Sequence, residues 1–360
     1  MSRLFVCVLI SVVFAYDARA FIVPLFDNGQ VQPGCYNPPE IPHNLTTRPQ
    51  RWRDASAGPP LVTRQSGKAW SGWQNVEYLF TFGDSYTSTS FNIHGPQPNP
   101  QNPLGNPAYP GATSADGPNY VDFLTTTYNQ SFIRTFNLGY GGATIDPSLV
   151  GSPYGLIVQS FRQQVQEEFI PTYATNSGVE WSGSNSLFTD VILSYTQRNS
   201  TLNFLLIKSY ENLVHQLYAA GARNFLFLNV PPIDRSPGTL ARDKAAQQSM
   251  AGYIGEFNFR LILLVYNLAV NYPATTVWLF DTNWLFSRLL DNGPLAFRET
   301  SGYANLTDYC VAYQHGTPTL TSLDPSCGVP VNAYLWLNDL HPTYPVHNLI
   351  ASEIVQQITR

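Results

Sequence analysis

The stretch Tyr78-Leu79-Phe80-Thr81-Phe82-Gly83-Asp84-Ser85-Tyr86-Thr87-Ser88 is an apolar run that leaves through a glycine and an aspartate directly onto a serine. Tyr78 to Phe82 has the length and the aromatic and β-branched content of a buried strand. Gly83 ends it. A serine there is either an ordinary turn and helix cap or a nucleophile held at the mouth of a sheet. The surrounding pattern separates the two.

Downstream, short β-rich runs alternate with longer helical patterns. The reading gives a helix over Asn119 to Tyr128, a strand over Phe132 to Asn137, and a helix over Leu202 to Ala220 that stops at Gly221. A strand over Phe225 to Val230 closes at Pro231-Pro232. A long helix runs from about Ala241 to Tyr272, then comes a strand over Val277 to Phe280. A last helix follows Pro345, with Val346, Leu349, Ile350 and Ile354 on one face. Strand, helix and strand at this spacing predict an α/β fold with a mostly parallel sheet covered on both faces. Ligands of such open sheets bind beyond the carboxyl ends of the strands, which is where Ser85 falls.

Composition narrows the function. Of 360 residues, 44% are hydrophobic and 12% charged, and the net charge is -5. That balance gives no electrostatic footprint for nucleic acid or an anionic membrane and suits a neutral substrate. Residues 1–20 carry a basic start, an apolar run from Leu4 to Tyr16 and the ending Ala18-Arg19-Ala20, the pattern of a secretory signal. The run is too short for a membrane anchor, and the reading finds no later stretch that qualifies. Residues 21–72, rich in Pro, Gly, Arg and Ser, read as an extended N-terminal arm, and 73–360 as the folded domain. Beyond the signal stand Cys35, Cys310 and Cys327, of which Cys310 with Cys327 is the expected bridge. Sequons at Asn44, Asn129, Asn199 and Asn305 suit surface glycans.

Two further segments carry chemistry. Leu337-Asn338-Asp339-Leu340-His341-Pro342-Thr343 puts a histidine on a loop just before the last helix, where an imidazole can reach a sheet edge as a general base. Asn137-Leu138-Gly139-Tyr140-Gly141-Gly142-Ala143-Thr144 follows a strand and frees its backbone to approach a ligand.

Taken in this order, the three segments resemble the SGNH, or GDSL, hydrolases over roughly Trp70 to Arg360. Gly117-Pro118-Asn119-Tyr120-Val121-Asp122-Phe123-Leu124, Gly221 to Pro232 and Trp336 add to the match, which is nearest to the secreted fungal acetylesterases of the sixteenth carbohydrate-esterase family. The resemblance implies a three-layer, flavodoxin-like sandwich. It makes Ser85 the nucleophile, His341 the base, and the backbone amides of Ser85 and Gly142 oxyanion donors. It implies no metal or nucleotide cofactor, an acetylated oligosaccharide or other small ester as substrate, no nucleic-acid partner, no membrane anchor and a monomer. A lipid or aryl esterase on the same fold, favoured by exposed apolar residues near Ser85, and a catalytically weak carbohydrate-binding relative are the alternatives.

Two family features depart from the pattern. The acid expected three residues before the histidine is Asn338, with Asp339 one step closer. The third oxyanion donor, an Asn in a G-x-N-D motif ending an apolar strand, is also missing from Trp181 to Tyr195. Gly183-Ser184-Asn185 has the letters without the strand, and Thr189-Asp190 matches the motif's end only if about half a dozen residues after Phe188 are absent. Either the sheet rebuilds with Leu187 to Leu193 or the sequence carries a deletion that removes a central strand. The second is the preferred reading, and it predicts an impaired enzyme.

Overall fold

Alternating side chains explain the architecture. Tyr78, Phe80, Phe82, Phe136, Phe225, Phe227, Val277 and Leu279 join one buried cluster, while Leu79, Leu187, Leu226, Leu228, Trp278 and Phe280 join another. Successive side chains of a strand point to opposite faces, so these residues define one sheet with a core on each side. The computed structural model describes residues 25–27, 30–32, 64–65, 70–174, 179, 181–182, 184–191 and 200–360.

Chain contacts divide into two units, Met1–Ala57 and Gly58–Arg360. In the first, β1 (Leu25–Asp27) pairs antiparallel with β2 (Gln30–Gln32). The second holds a six-stranded sheet of β3 (Arg64–Gln65), β4 (Tyr78–Gly83), β5 (Arg134–Asn137), β6 (Ser186–Val191), β7 (Asn224–Leu228) and β8 (Thr276–Phe280). Their order is β3-β8-β7-β6-β4-β5, parallel throughout except for the β3 edge. The arm therefore contributes an edge strand, and the division falls upstream of the boundary expected near Gly72.

Helices cover both faces. Around the first cluster lie α2 (Phe161–Gln163), which continues as a π-helical stretch Gln164–Ala174, then α3 (Ser200–Ala219) and α5 (Lys244–Asn271); around the second lie α1 (Tyr120–Thr126), α6 (Thr282–Asn292) and α7 (Tyr344–Ile358). A short turn of helix, α4, spans Pro237–Leu240. This is the three-layer α/β sandwich expected. Helix α5 meets the length and composition of a membrane span, against the expectation that no later stretch does. Met250, Ile254, Phe257, Leu261, Leu264 and Leu268 pack into the first cluster, so the helix is apolar because it covers the sheet.

The preferred expectation of a lost central strand is corrected. Strand β6 lies between β4 and β7, with Tyr78 opposite Ser186 and Gly83 opposite Val191. Ser186–Val191 is short and interrupted by Thr189-Asp190, yet an unfilled gap would strip two inner strands of their backbone partners. The sheet rebuilds with what the sequence offers.

Counted in chain order, the parallel strands β4 to β8 lie 2-1-3-4-5 across the sheet, the doubly wound order whose direction reverses between its first and third strands. Ser85 follows the first of these, so it stands at that reversal. Elsewhere in the unit, Cys310 and Cys327 are bridged, with S–S 2.01 Å, as expected. The signal segment, Cys35, Asn44 and Asn199 lie outside the described residues.

Candidate active site

At the end of β4 the backbone is held from three directions. Gly83 has φ 134°, a conformation that side-chain-bearing residues rarely adopt. Buried Gln164 reads both of its polar groups: Gly83 N–H donates to Oε1 at 2.9 Å, and Nε2 donates to Gly83 O at 2.8 Å. The buried Asp84 carboxylate accepts the Tyr86 N–H at 2.9 Å, and its carbonyl accepts those of Thr87 and Ser88 at 3.1 and 2.9 Å. Asn119 and Asn137 each donate an amide N–H to Thr87 O at 2.7 Å. The turn carrying Ser85 is thereby fixed while Ser85 stays half-buried.

The histidine loop closes on itself. Trp336 bridges Pro342, and Leu337 N–H donates to His341 O at 2.8 Å. Asn338 Oδ1 accepts the backbone N–H groups of Leu340 and His341 at 3.0 and 2.9 Å and lies 3.0 Å from His341 Nδ1. Two backbone donors identify that atom as the amide oxygen, so Nδ1 carries the proton. His341 Nε2 is then the unprotonated nitrogen, 2.7 Å from Ser85 Oγ, the geometry in which a serine hydroxyl donates to a general base. Tyr86 ties the two loops together by donating its OH to Leu340 O at 2.7 Å.

Of the two residues considered for orienting His341, the structure brings Asn338 to Nδ1. Asp339 is exposed, and its carbonyl accepts the Gly238 N–H at 2.9 Å. Burial lowers the His341 pKa to about 4, and the Asp339 carboxylate pulls it the other way. Behind it, fully buried His347 lies against Tyr86 and Tyr120, and burial holds it at about 3, with His341 adding to the shift. Both imidazoles are therefore neutral near neutral pH.

The glycine turn lies alongside. Leu138 N–H donates to Thr81 O at 2.8 Å and Tyr140 N–H to Gly83 O at 3.0 Å. Gly142 has φ 81°, and a Cβ there would come within 2.5 Å of the Tyr154 ring. Among the described residues, neither the Ser85 nor the Gly142 amide N–H is engaged in a hydrogen bond.

Asn185 is not a third. Its carbonyl accepts the N–H groups of Glu77 and Tyr78 at 2.9 and 3.1 Å, at the opposite end of β4. The six residues of β4 at ~3.3 Å each put it roughly 20 Å from the Ser85 end. Thr189 and Asp190 fall opposite Thr81 and Phe82, inside the sheet and short of the level of Ser85. Residues 192–199 lie outside the described residues.

Gln164, Tyr86 and Asn137 escaped the sequence reading. Each acts through hydrogen bonds to a distant backbone segment, and only Asn137, which ends a strand run beside the glycine turn, carried a local signal.

No family model matches the chain. An acetylesterase of Thermothelomyces thermophilus is 33% identical over 291 residues, covering 78% of this chain and 87% of that protein. An acetylesterase of Hypocrea jecorina is 25% identical over 327 residues, covering 79% and 89%. Among solved structures, a catalytic mutant of an acetylxylan esterase from Geobacillus stearothermophilus aligns over 79% of this chain and 94% of its own at 13% identity, with a TM-score of 0.39. Identity at this level over most of both chains, carried on a parallel sheet with a serine and a histidine in contact at its edge, settles the family: the chain belongs to the acetylesterases of the SGNH, or GDSL, hydrolases and is a carboxylic ester hydrolase of small acetyl esters.

Proposed function

We propose that the protein is a secreted serine esterase that removes acetyl groups from hemicellulose-derived oligosaccharides through an acyl-enzyme. The observation that carries this reading is the 2.7 Å contact between Ser85 Oγ and His341 Nε2, with the tautomer held by Asn338 at 3.0 Å.

In the first half-reaction Ser85 Oγ attacks the acetyl carbonyl carbon while its proton passes to His341 Nε2. The carbonyl oxygen becomes an oxyanion facing the N–H groups of Ser85 and Gly142. Collapse expels the sugar alkoxide, which takes the proton from His341 and leaves acetyl-Ser85. In the second, a water gives its proton to His341, attacks the acetyl carbon and releases acetate as the proton returns to Ser85 Oγ. Asn338 keeps the imidazole in place without a charge to stabilise the imidazolium, so this triad is weaker than one with a carboxylate. Together with the short β6, which ends without the family's asparagine, this makes the chain an impaired member.

Secretion as an unanchored monomer is part of the same reading. Secretion is supported by the signal-like residues 1–20, by the Cys310–Cys327 bridge, which suits an oxidising compartment, and by the exposed sequon at Asn129. One observation favours the aryl or lipid alternative. Tyr154, Leu156 and Ile157 are 69%, 96% and 74% exposed in the segment that rests on Gly142.

Acetate release from acetylated xylo-oligosaccharides, set against p-nitrophenyl esters of increasing acyl length, tests the proposal. Acetylated sugars are the better substrates and activity falls beyond the acetyl ester; a preference for long acyl chains makes the protein a lipid esterase instead.

A further inference from the structure

The loop that carries His341 turns its other side to a second space. A cavity of about 550 Å³ lies there, with Gly238, Leu240 and Ala241 on one segment, Asp308 and Tyr309 on another, and Asp339 from the histidine loop itself. That volume falls within the ~300–1,000 Å³ of small-molecule sites. Gly238 and Asp339 leave no slack between the segments: their backbones are hydrogen-bonded at 2.9 Å, and a Cβ on Gly238 would sit 3.1 Å from the Asp339 carboxylate. Asp339 faces the cavity and His341, two residues on, faces Ser85. One loop therefore separates the cavity from the reacting serine.

The lining selects a ligand class. It contains two carboxylates and neither lysine nor arginine, which disfavours an anion. Among the described residues, no group of three or more His, Cys, Asp or Glu is placed to hold a metal ion. Carboxylates accept from hydroxyl groups, and Leu240, 43% exposed, with half-buried Tyr309 offers apolar surface to a ring's C–H face. A neutral polyol ring satisfies both kinds of surface.

We propose that this cavity is the subsite for the sugar unit adjoining the acetylated one, with Asp308 accepting its hydroxyl protons and Tyr309 backing its ring. The proposal rests on the reading of the substrate as an acetylated oligosaccharide. Asp308→Ala removes the acceptor, and Ala241→Trp fills the space from an exposed position. Both variants and the parent protein, deglycosylated because the Asn305 sequon adjoins Asp308, are assayed on acetylated xylo-oligosaccharides, acetylated xylose and p-nitrophenyl acetate. The parent prefers the oligosaccharides to the monosaccharide. Each variant raises KM on them by about tenfold, the worth of one hydrogen bond to a charged group, and kcat/KM on p-nitrophenyl acetate, which also reports folding, is unchanged. If the parent prefers oligosaccharides and both variants keep the preference, or if the parent treats oligosaccharides and monosaccharide alike, the subsite is refuted and the sugar reading stands. If acetylated sugars are no better than p-nitrophenyl acetate, the sugar reading itself fails and the subsite with it.

Discussion

Asn338 Oδ1 lies 3.0 Å from His341 Nδ1 and simultaneously accepts the backbone N–H groups of Leu340 and His341. One oxygen thus shapes the loop and sets the tautomer of the imidazole. Asn338→Asp keeps these acceptors and adds the charge that a developing imidazolium requires. We expect kcat to rise by at least about tenfold, part of the ~10⁴-fold that the reverse exchange costs a Ser-His-Asp triad. The pH–rate profile checks the cause. His341 is depressed to about 4 by burial, so the parent keeps its base neutral through mildly acidic pH; the added carboxylate raises that pKa and moves the acidic limb upward. A limb that stays put means that Asn338 is not the group His341 senses.

Asp339 faces the cavity rather than the Nδ1 atom. Asp339→Asn should therefore lower the acidic limb slightly, since the carboxylate raises the His341 pKa, with kcat changed by less than about threefold because no direct contact is lost. A collapse of kcat makes Asp339 the orienting acid.

Tyr86 donates to Leu340 O across 254 residues of sequence. Tyr86→Phe removes that tie without emptying the space. Steady-state kinetics should show kcat down by about 10- to 100-fold, the scale of a small misplacement of a reacting group, and KM nearly unchanged. Thermal unfolding should register only ~1 kcal/mol, the net value of one hydrogen bond.

His347 offers a stability test. Its folded pKa of about 3 lies below the ordinary 6.5, so protons bind the unfolded chain more readily. Its contribution is fully present above pH 6.5 and is lost as pH falls toward 3. His347→Phe removes this dependence, so the difference in Tm between variant and parent should grow in the variant's favour as pH drops. A constant difference excludes His347 as a source of acid sensitivity.

Lengthening β6 addresses the third donor. Inserting about six residues with an apolar strand and a Gly-x-Asn end between Phe188 and Asp190 should raise kcat by roughly 10²- to 10³-fold, the worth of one oxyanion donor. An unchanged rate places that donor elsewhere in the chain.

What the sequence made legible follows from where the signal resides. Phe225 to Leu228 and Val277 to Phe280 were readable because strands buried on both faces are apolar throughout, and Ser85 and His341 because each sits at the boundary of such a pattern. Arg64–Gln65 was not, since an edge strand pairs through its backbone with β8 and requires no particular side chain. Strand β6 was read as lost because Gly183-Ser184-Asn185 lacks the apolar strand its motif should end and Thr189-Asp190 meets that motif only across a gap of about half a dozen residues, whereas its backbone partners on β4 and β7 hold Ser186–Val191 in place. Gln164 reaches Gly83 over 81 residues, a contact that only the folded chain creates.

The proposed acyl-enzyme route requires that Ser85 carry the acetyl group between the two half-reactions. Rapid quenching of the enzyme with p-nitrophenyl acetate, followed by peptide mass spectrometry, measures this directly. The expected result is a burst of p-nitrophenol matched by one acetyl group on the peptide containing Ser85, both lost in Ser85→Ala. Turnover with that peptide unmodified, or a burst that survives Ser85→Ala, would contradict it.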